Sequence, residues 1–315
     1  MGLKISAAVY SHIGHRPNNE DNFFVNGLFM EREQMNKGGR YHAVYTDDAQ
    51  IFAVCDGMGG AELGEEASLR AVKMLKEFHQ NCAQPDSTVY LNDLVADMSE
   101  RVDAISLERG RPSGDSGCTI AMLVMKDWYF RTVNVGDSRV YQLHDGELTR
   151  VTKDDSEVQQ MVDRGEITAE EAWQHPLKNV ITRHLGMPMN GERLKPTVSE
   201  RMDLTPGDRY LICSDGLSDE VPDDVIRDLL RSNTSPADAA AVLVRRALSE
   251  SEYMGIPSDN VTVIVIDVLK AGERDDNQRR VRRMNILRAG LAALSAAAVG
   301  GLIWRCIELF RFLKK

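Results

Sequence analysis

The sequence predicts an α+β layered domain over residues 1–271, with antiparallel sheets covered by helices. Three observations predict it. Strand-like apolar runs are joined by short turns rich in Gly and Asp, which close antiparallel hairpins rather than βαβ crossovers. Two amphipathic helical stretches lie together between the first strands and a strand meander. A second helical group precedes the last strand, and grouped helices beside hairpin-linked strands build layers.

The elements follow in chain order. KISAAVYS (4–11), YHAVYT (41–46) and QIFAVC (50–55) read as strands. Residues 64–82 place Ala67, Ala71, Met74, Leu75, Phe78 and Cys82 on one helical stripe. Residues 89–108 do the same with Leu91, Leu94, Val95, Met98, Val102 and Ile105, the 3.6-residue period of a helix packed on one face. A meander follows: CTIAMLVM (118–125), WYFRTVNV (128–135) and RVYQLH (139–144), then Asp145-Gly146 and ELTRVT. Lys126-Asp127 and Gly136-Asp137-Ser138 read as its hairpin turns. Helices are predicted at 155–165, 168–174, 223–232 and 236–251, around the strand RYLIC (209–213) and before NVTVIVIDVL (260–269). The stretch 27–50 reads as a surface loop and hairpin.

Composition narrows the function. The chain has 315 residues, 48 acidic and 38 basic side chains, and a net charge of −10. That balance excludes a general nucleic-acid binder, which needs phosphate-neutralising Lys and Arg. Five scattered cysteines, with no CxxC or Cys/His cluster, support neither a disulfide scaffold nor a zinc site. The opening MGLKISAAVYSHIGH lacks the basic region and long apolar core of a signal peptide.

The charge is uneven. Residues 272–315 hold ten of the basic and four of the acidic side chains, so that segment carries +6 and residues 1–271 carry −16. Residues 272–284 read as a polar, basic linker. Residues 285–315 read as a hydrophobic membrane anchor. Ala289–Trp304 is a run of 16 residues without a charge, about 24 Å as a helix, and snorkelling of Arg288 extends it toward the bilayer thickness. Arg279, Arg280, Arg282 and Arg283 precede the run and place the domain 1–271 on the cytoplasmic side of a cell membrane. An Ala-rich helix packed on a partner or lying on the membrane surface is the alternative.

Acidic residues at strand ends carry the chemistry. Asp56 follows QIFAVC and precedes Gly57-Met58-Gly59-Gly60; Asp215 follows YLICS; Asp259 precedes NVTVIVI; Glu20 and Asp21 follow the first strand. Several carboxylates near a core imply a bound cation or basic partners, and with Arg16 the nearest basic residue in sequence a metal is the simpler answer. An all-oxygen donor set favours Mg2+ or Mn2+, and Gly57 leaves its carbonyl open to a metal. Two such ions can generate a hydroxide and clamp an in-line phosphoryl displacement. Each piece also has a plainer reading. Asp-Gly pairs form turns, and His12, His15 and His42 read as structural or surface histidines.

The ordered combination resembles the metal-dependent PP2C (PPM) family of protein serine/threonine phosphatases, in its bacterial form. The residues that carry the resemblance are Arg16-Pro-Asn-Asn-Glu20-Asp21-Asn22, Ala53-Val-Cys-Asp56-Gly57-Met58-Gly59-Gly60, Asp115-Ser-Gly117-Cys-Thr119 and Val135-Gly-Asp137-Ser-Arg139. His175-Pro-Leu-Lys-Asn179-Val-Ile-Thr-Arg183-His-Leu-Gly186, Cys213-Ser-Asp215-Gly216-Leu-Ser-Asp219 and Asp259-Asn260 complete the set.

The resemblance implies a four-layer α-β-β-α sandwich and a binuclear Mn2+ or Mg2+ centre hydrolysing phosphoserine and phosphothreonine. It implies that Asp56 bridges the ions, that Asp215 and Asp259 complete one site, and that Glu20 and the Gly57 carbonyl serve the other. Asp21 would hold metal-bound water, Arg16 would bind the substrate phosphate, and Asp115 with Asp215 would serve a weaker third ion. Residues 151–190 would form a flap that tunes substrate choice. The implied partners are Ser/Thr-phosphorylated proteins, including a cognate Ser/Thr kinase, together with membrane lipid and no nucleic acid. Met58 stands where animal members carry a histidine, so the leaving group needs another proton source. The rival readings are a non-catalytic phosphoprotein-binding regulator of the same fold and a small-molecule phosphohydrolase.

Overall fold

Strand β1 (Lys4–His12) is buried along almost its whole length, so both of its faces lie inside the protein and its residues are apolar without alternation. A computed structural model of the chain describes residues 2–60 and 62–273. The predicted anchor, and all of the predicted linker beyond Glu273, lie outside the described residues. Among the described residues no helix is long and apolar enough to cross a membrane.

The first half of the chain continues with β2 (Asp21–Val25), α1 (Arg32–Met35), β3 (Gly39–Tyr45), β4 (Ala49–Met58), α2 (Leu63–Asn81) and α3 (Thr88–Glu108). The meander is β5 (Gly117–Cys118), β6 (Ile120–Lys126), β7 (Tyr129–Val135), β8 (Arg139–His144) and β9 (Glu147–Arg150). Then come α4 (Glu157–Asp163), α5 (Ala169–Trp173), β10 (Thr197–Val198), β11 (Met202–Asp203) and β12 (Arg209–Cys213). The described chain closes with α6 (Asp215–Ser218), α7 (Asp223–Ser232), α8 (Pro236–Met254) and β13 (Val261–Lys270).

Two antiparallel sheets result. One has the order β3-β1-β13-β12-β8-β9. The other has the order β10-β7-β6-β4-β2, with β11 on β7 and β5 on β4. Helices α2 and α3 cover the second sheet, α8 covers the first, and the two sheets face each other. The larger apolar core lies between the sheets and under α2 and α3, and includes Phe23, Phe52, Phe130 and Ile264. A smaller core under α7 and α8 includes Leu211, Leu243 and Val263. The α+β layering expected from the sequence is therefore present. Local signals set the helix ends: the Ser235 hydroxyl caps α8 by accepting from Asp238 N–H, Pro236 fills its first turn, and Gly255 ends it at φ 69°.

Three local expectations change. Strand β4 runs through Asp56 to Met58, because β5 extends the ladder by pairing Cys118 with Gly57 and Gly117 with Met58. Asp56 therefore sits inside a strand rather than after one. In the stretch 27–50, β3 pairs with β1 and not with β4, so the predicted hairpin there does not form. Gly136-Asp137-Ser138 is not a hairpin turn either, since β7 and β8 belong to different sheets. The tripeptide carries the chain from one sheet to the other. Gly136 adopts φ 100°, and a side chain there would collide with Thr119 at 2.7 Å. Asp155 holds the corner: its carboxylate accepts from Gly136 N–H at 3.1 Å and its own N–H donates to Gly136 O at 2.9 Å.

Candidate metal centre

The register of β2 on β4 sets Asp21 directly opposite Asp56. Like charges facing each other across a ladder are destabilising, so the pairing itself points to a cation. Asp21 is fully buried. One of its oxygens accepts from Ser214 Oγ at 2.8 Å, and the other, Oδ1, has no hydrogen-bond partner. Burial pushes the Asp21 carboxyl up to about 8, and the neighbouring Asp215 and Asp259 add to the rise.

Asp56 is held by Thr119 on both sides. Its N–H donates to Thr119 Oγ1 at 3.1 Å, and its carbonyl accepts from Thr119 N–H at 2.8 Å. The Asp56 carboxyl is raised well above its ordinary value, by burial first and then by Asp21, Asp215, Asp137 and Asp259. Asp215 opens the short helix α6. Burial, with Asp219 and Asp259, raises it to about 7, while a hydrogen bond with Asp56 opposes the rise. Without a cation these carboxyls resist ionisation, and a bound divalent ion would favour their ionised forms.

Backbone shape completes the centre. Gly57 lies against the start of α2, where a Cβ would meet Gly64 O at 2.0 Å and Glu20 O at 2.8 Å. A Cβ on Gly64 would meet Glu20 Oε2 at 2.4 Å. Only glycines allow Glu20, β4 and α2 to converge. Asn260 ties the Glu20 loop to the last strand: its Oδ1 accepts from Glu20 N–H at 2.7 Å, and its Nδ2 donates to Ile13 O and Asn18 O at 2.8 and 3.0 Å. At the mouth, Arg16 pairs with Asp259 at 2.6 Å, with side chains 56% and 39% exposed. Its guanidinium also feels Glu20 and Asp215.

Among the described residues, no three His, Cys, Asp or Glu side chains gather closely enough to enclose a metal by themselves. Hard divalent ions take carbonyl and water oxygens as readily as carboxylates, and the Gly57 carbonyl is of that kind, while the unpartnered Asp21 oxygen adds a free carboxylate acceptor. The donor set fits such an ion, with oxygen ligands only and charge in excess.

The structure links Asp21, Asp56, Asp215 and Asp259 by their mutual electrostatic influence, Gly57 to Glu20 through the Gly57 N–H and Glu20 carbonyl, and Arg16 to Asp259 at the edge. Asp115 lies on the loop that leads into β5. Its carbonyl backs Gly59, where a Cβ would lie 2.2 Å away, and its side chain is exposed. It is not among the carboxylates that act most strongly on Asp56 or Asp215. Asp137 and Asp219 do act there, and neither was chosen from the sequence. Asp137 is buried, leaves Oδ1 without a partner, and feels Asp215, Asp154 and Asp219. The sequence signals for them are the motif Val135-Gly-Asp137-Ser-Arg139 and the i,i+4 spacing of Asp219 from Asp215.

Comparison with known proteins shows kinship and a shared fold. The family described as protein phosphatase 2C matches residues 31–250. The serine/threonine protein phosphatase PstP of Mycobacterium tuberculosis is 38% identical over 221 residues, covering 70% of this chain and 41% of the relative. The chain therefore spans about two fifths of that relative's length. The serine/threonine phosphatase stp of Listeria welshimeri is 32% identical over 225 residues, 70% of this chain and 85% of the relative. The crystal structure of the PstP catalytic domain in complex with two manganese ions superposes with a TM-score of 0.67 at 33% identity, covering 85% of this chain and all of that one. Fold and kinship agree, and the chain belongs to the protein phosphatase 2C family.

Proposed function

We propose that the chain is a metal-dependent protein phosphatase that removes phosphate from phosphoserine and phosphothreonine in other proteins, with Mn2+ or Mg2+ as cofactor. The observation that carries it is the buried Asp21 set directly opposite the half-buried Asp56, with one Asp21 oxygen on Ser214, next to Asp215, and the other without a partner. The names of the relatives and the two manganese ions of the PstP catalytic domain support it.

Bound divalent ions supply an activated water and a clamp for the phosphoryl oxygens. Asp56, Asp215 and Asp259 would hold one ion; Asp56, Glu20 and the Gly57 carbonyl would hold the other. Asp115 with Asp215 would serve a third. Asp21, behind Asp56, keeps the ligands in place through Ser214. Arg16 exchanges Asp259 for the substrate phosphate, for which its planar guanidinium offers paired donors. Met58 supplies no proton, so the leaving oxygen is protonated from solvent.

Residues 1–271 form the catalytic domain, with the flap at 151–190. Residues 272–284 are a linker, and residues 285–315 are a single-pass anchor that keeps the domain on the cytoplasmic face of the cell membrane. The substrates are Ser/Thr-phosphorylated proteins, among them a Ser/Thr kinase of the same membrane. The test is hydrolysis of a phosphothreonine peptide by the full chain. It should require Mn2+ and fall to background in Asp56→Ala and Asp215→Ala. Hydrolysis that persists in chelator, or in either variant, overturns the proposal.

A further inference from the structure

Two loops far apart in sequence carry the edge of the centre. The β1–β2 loop holds Arg16, and the α8–β13 loop holds Asp259. His15 and Ser258, each one residue earlier, join them. His15 N–H donates to Ser258 O at 3.1 Å. In return, His15 Nδ1 accepts from Ser258 N–H at 3.3 Å and lies 2.8 Å from Ser258 Oγ. A backbone N–H can only donate, so Nδ1 is the acceptor and the neutral ring keeps its proton on Nε2. Ser258 is 1% exposed, and its amide and hydroxyl both turn to this one ring nitrogen.

The seam is tight beside the ring as well. Gly14 adopts φ 65°, and a Cβ there would lie 2.0 Å from Asp259 O and 2.9 Å from Ser258 O. Asn260 fastens the other end of the same loop through Ile13 and Asn18. Arg16 and Asp259, the ion pair at the mouth, are therefore the next residues along from a two-sided clamp.

We propose that His15 is a positioning residue, whose acceptance of the Ser258 amide and hydroxyl holds the Arg16 and Asp259 loops as one unit and so sets the affinity of the centre for its divalent cation and for the substrate phosphate. This rests on the reading of Asp259 as a metal ligand and Arg16 as the phosphate binder. Loss of the imidazole leaves two buried donors of Ser258 without a partner while the His15 N–H and Asn260 bonds keep the fold closed. Asparagine places Oδ1 close to where Nδ1 stands and restores an acceptor.

The experiment uses the full chain in detergent. Mn2+ binding is read by titration calorimetry, and KM and kcat are read on a phosphothreonine peptide. His15→Ala should weaken Mn2+ binding and raise KM, each about tenfold, the effect of roughly one lost buried hydrogen bond. The kcat should change less, and His15→Asn should recover most of both losses. A His15→Ala protein that binds Mn2+ like wild type overturns the proposal, as does a folded His15→Asn as weak as His15→Ala. Should His15→Ala fail to fold, Ser258→Ala carries the test, and unchanged Mn2+ affinity in it overturns the proposal. A wild-type chain that binds Mn2+ without hydrolysing the peptide overturns the proposed activity alone, and the calorimetric comparison still decides the clamp. A wild-type chain that binds no Mn2+ overturns both.

Discussion

Asp56 faces Asp21 across the ladder and shares a hydrogen bond with Asp215, so three acids meet where one would be easier to bury. Residues kept for chemistry often cost stability. Asp56→Asn should raise the melting temperature of the metal-free protein while abolishing hydrolysis. A lower melting temperature in chelator would refute that account. The pH dependence has a defined sign. Asp21 and Asp215 are raised to about 8 and about 7 from an ordinary 3.8. Their contribution to stability is complete below about pH 4 and is lost as pH rises through 7 to 8. In chelator, denaturant midpoints for these groups should fall between pH 5 and pH 8.5, and saturating Mn2+ should flatten the slope. Much of this site was legible in the sequence, because Asp56-Gly57, Asp215-Gly216 and Glu20-Asp21 stand beside apolar runs. The Asp21–Asp56 opposition was not, since register depends on which strands pair. The His15–Ser258 seam was not legible either, as a lone histidine gives no hint of a partner 243 residues away.

The loop between α2 and α3 is fastened to the second sheet through one buried carboxylate. Asp86 accepts from Lys126 Nζ at 3.0 Å, Tyr129 OH at 2.7 Å and Arg201 at 2.8 Å. Arg131 reaches the Asp86 carbonyl and Thr88 Oγ1, both at 2.8 Å. Although burial opposes it, the hydrogen bonds from Tyr129 and Lys126 and the charges of Lys126 and Arg201 lower Asp86 to about 2. Its stabilisation is present above the unfolded value of 3.8 and is lost as pH falls through 2. Asp86→Asn should cost about 3 kcal/mol at neutral pH and remove part of the acid transition between pH 4 and 2. A change below about 0.5 kcal/mol in urea denaturation would show the node to be dispensable. Elements with a long period were readable: the α3 stripe from Leu91 to Ile105 is buried as its spacing requires. The two-residue strands β10 and β11 were not readable, being shorter than any repeat. Nor was the crossover at Asp137, because a turn sequence fixes a bend and not the sheet that receives it.

Over the whole chain, residues 1–271 carry −16 and residues 272–315 carry +6, and the proposed anchor gives its two parts different partners. Divalent cations suit the first, and anionic lipid headgroups suit the second. The full chain should co-sediment with vesicles containing phosphatidylserine. Removal of residues 272–315 should abolish that binding and leave hydrolysis of a soluble phosphopeptide unchanged. Equal sedimentation of both proteins would rule the anchor out.

The pairing of β1 with β13, from Lys4 against Lys270 to His12 against Val261, has a consequence for synthesis. The first strand made waits for the last strand described, and Asp259 and Asn260 enter just ahead of that strand. Until β13 has been made, the pair β3-β1 has no strand to join it to β12, β8 and β9. Topology of this kind folds late rather than progressively. Translation interrupted before β13 therefore yields fragments without Asp259 or the strand that joins β1 to β12.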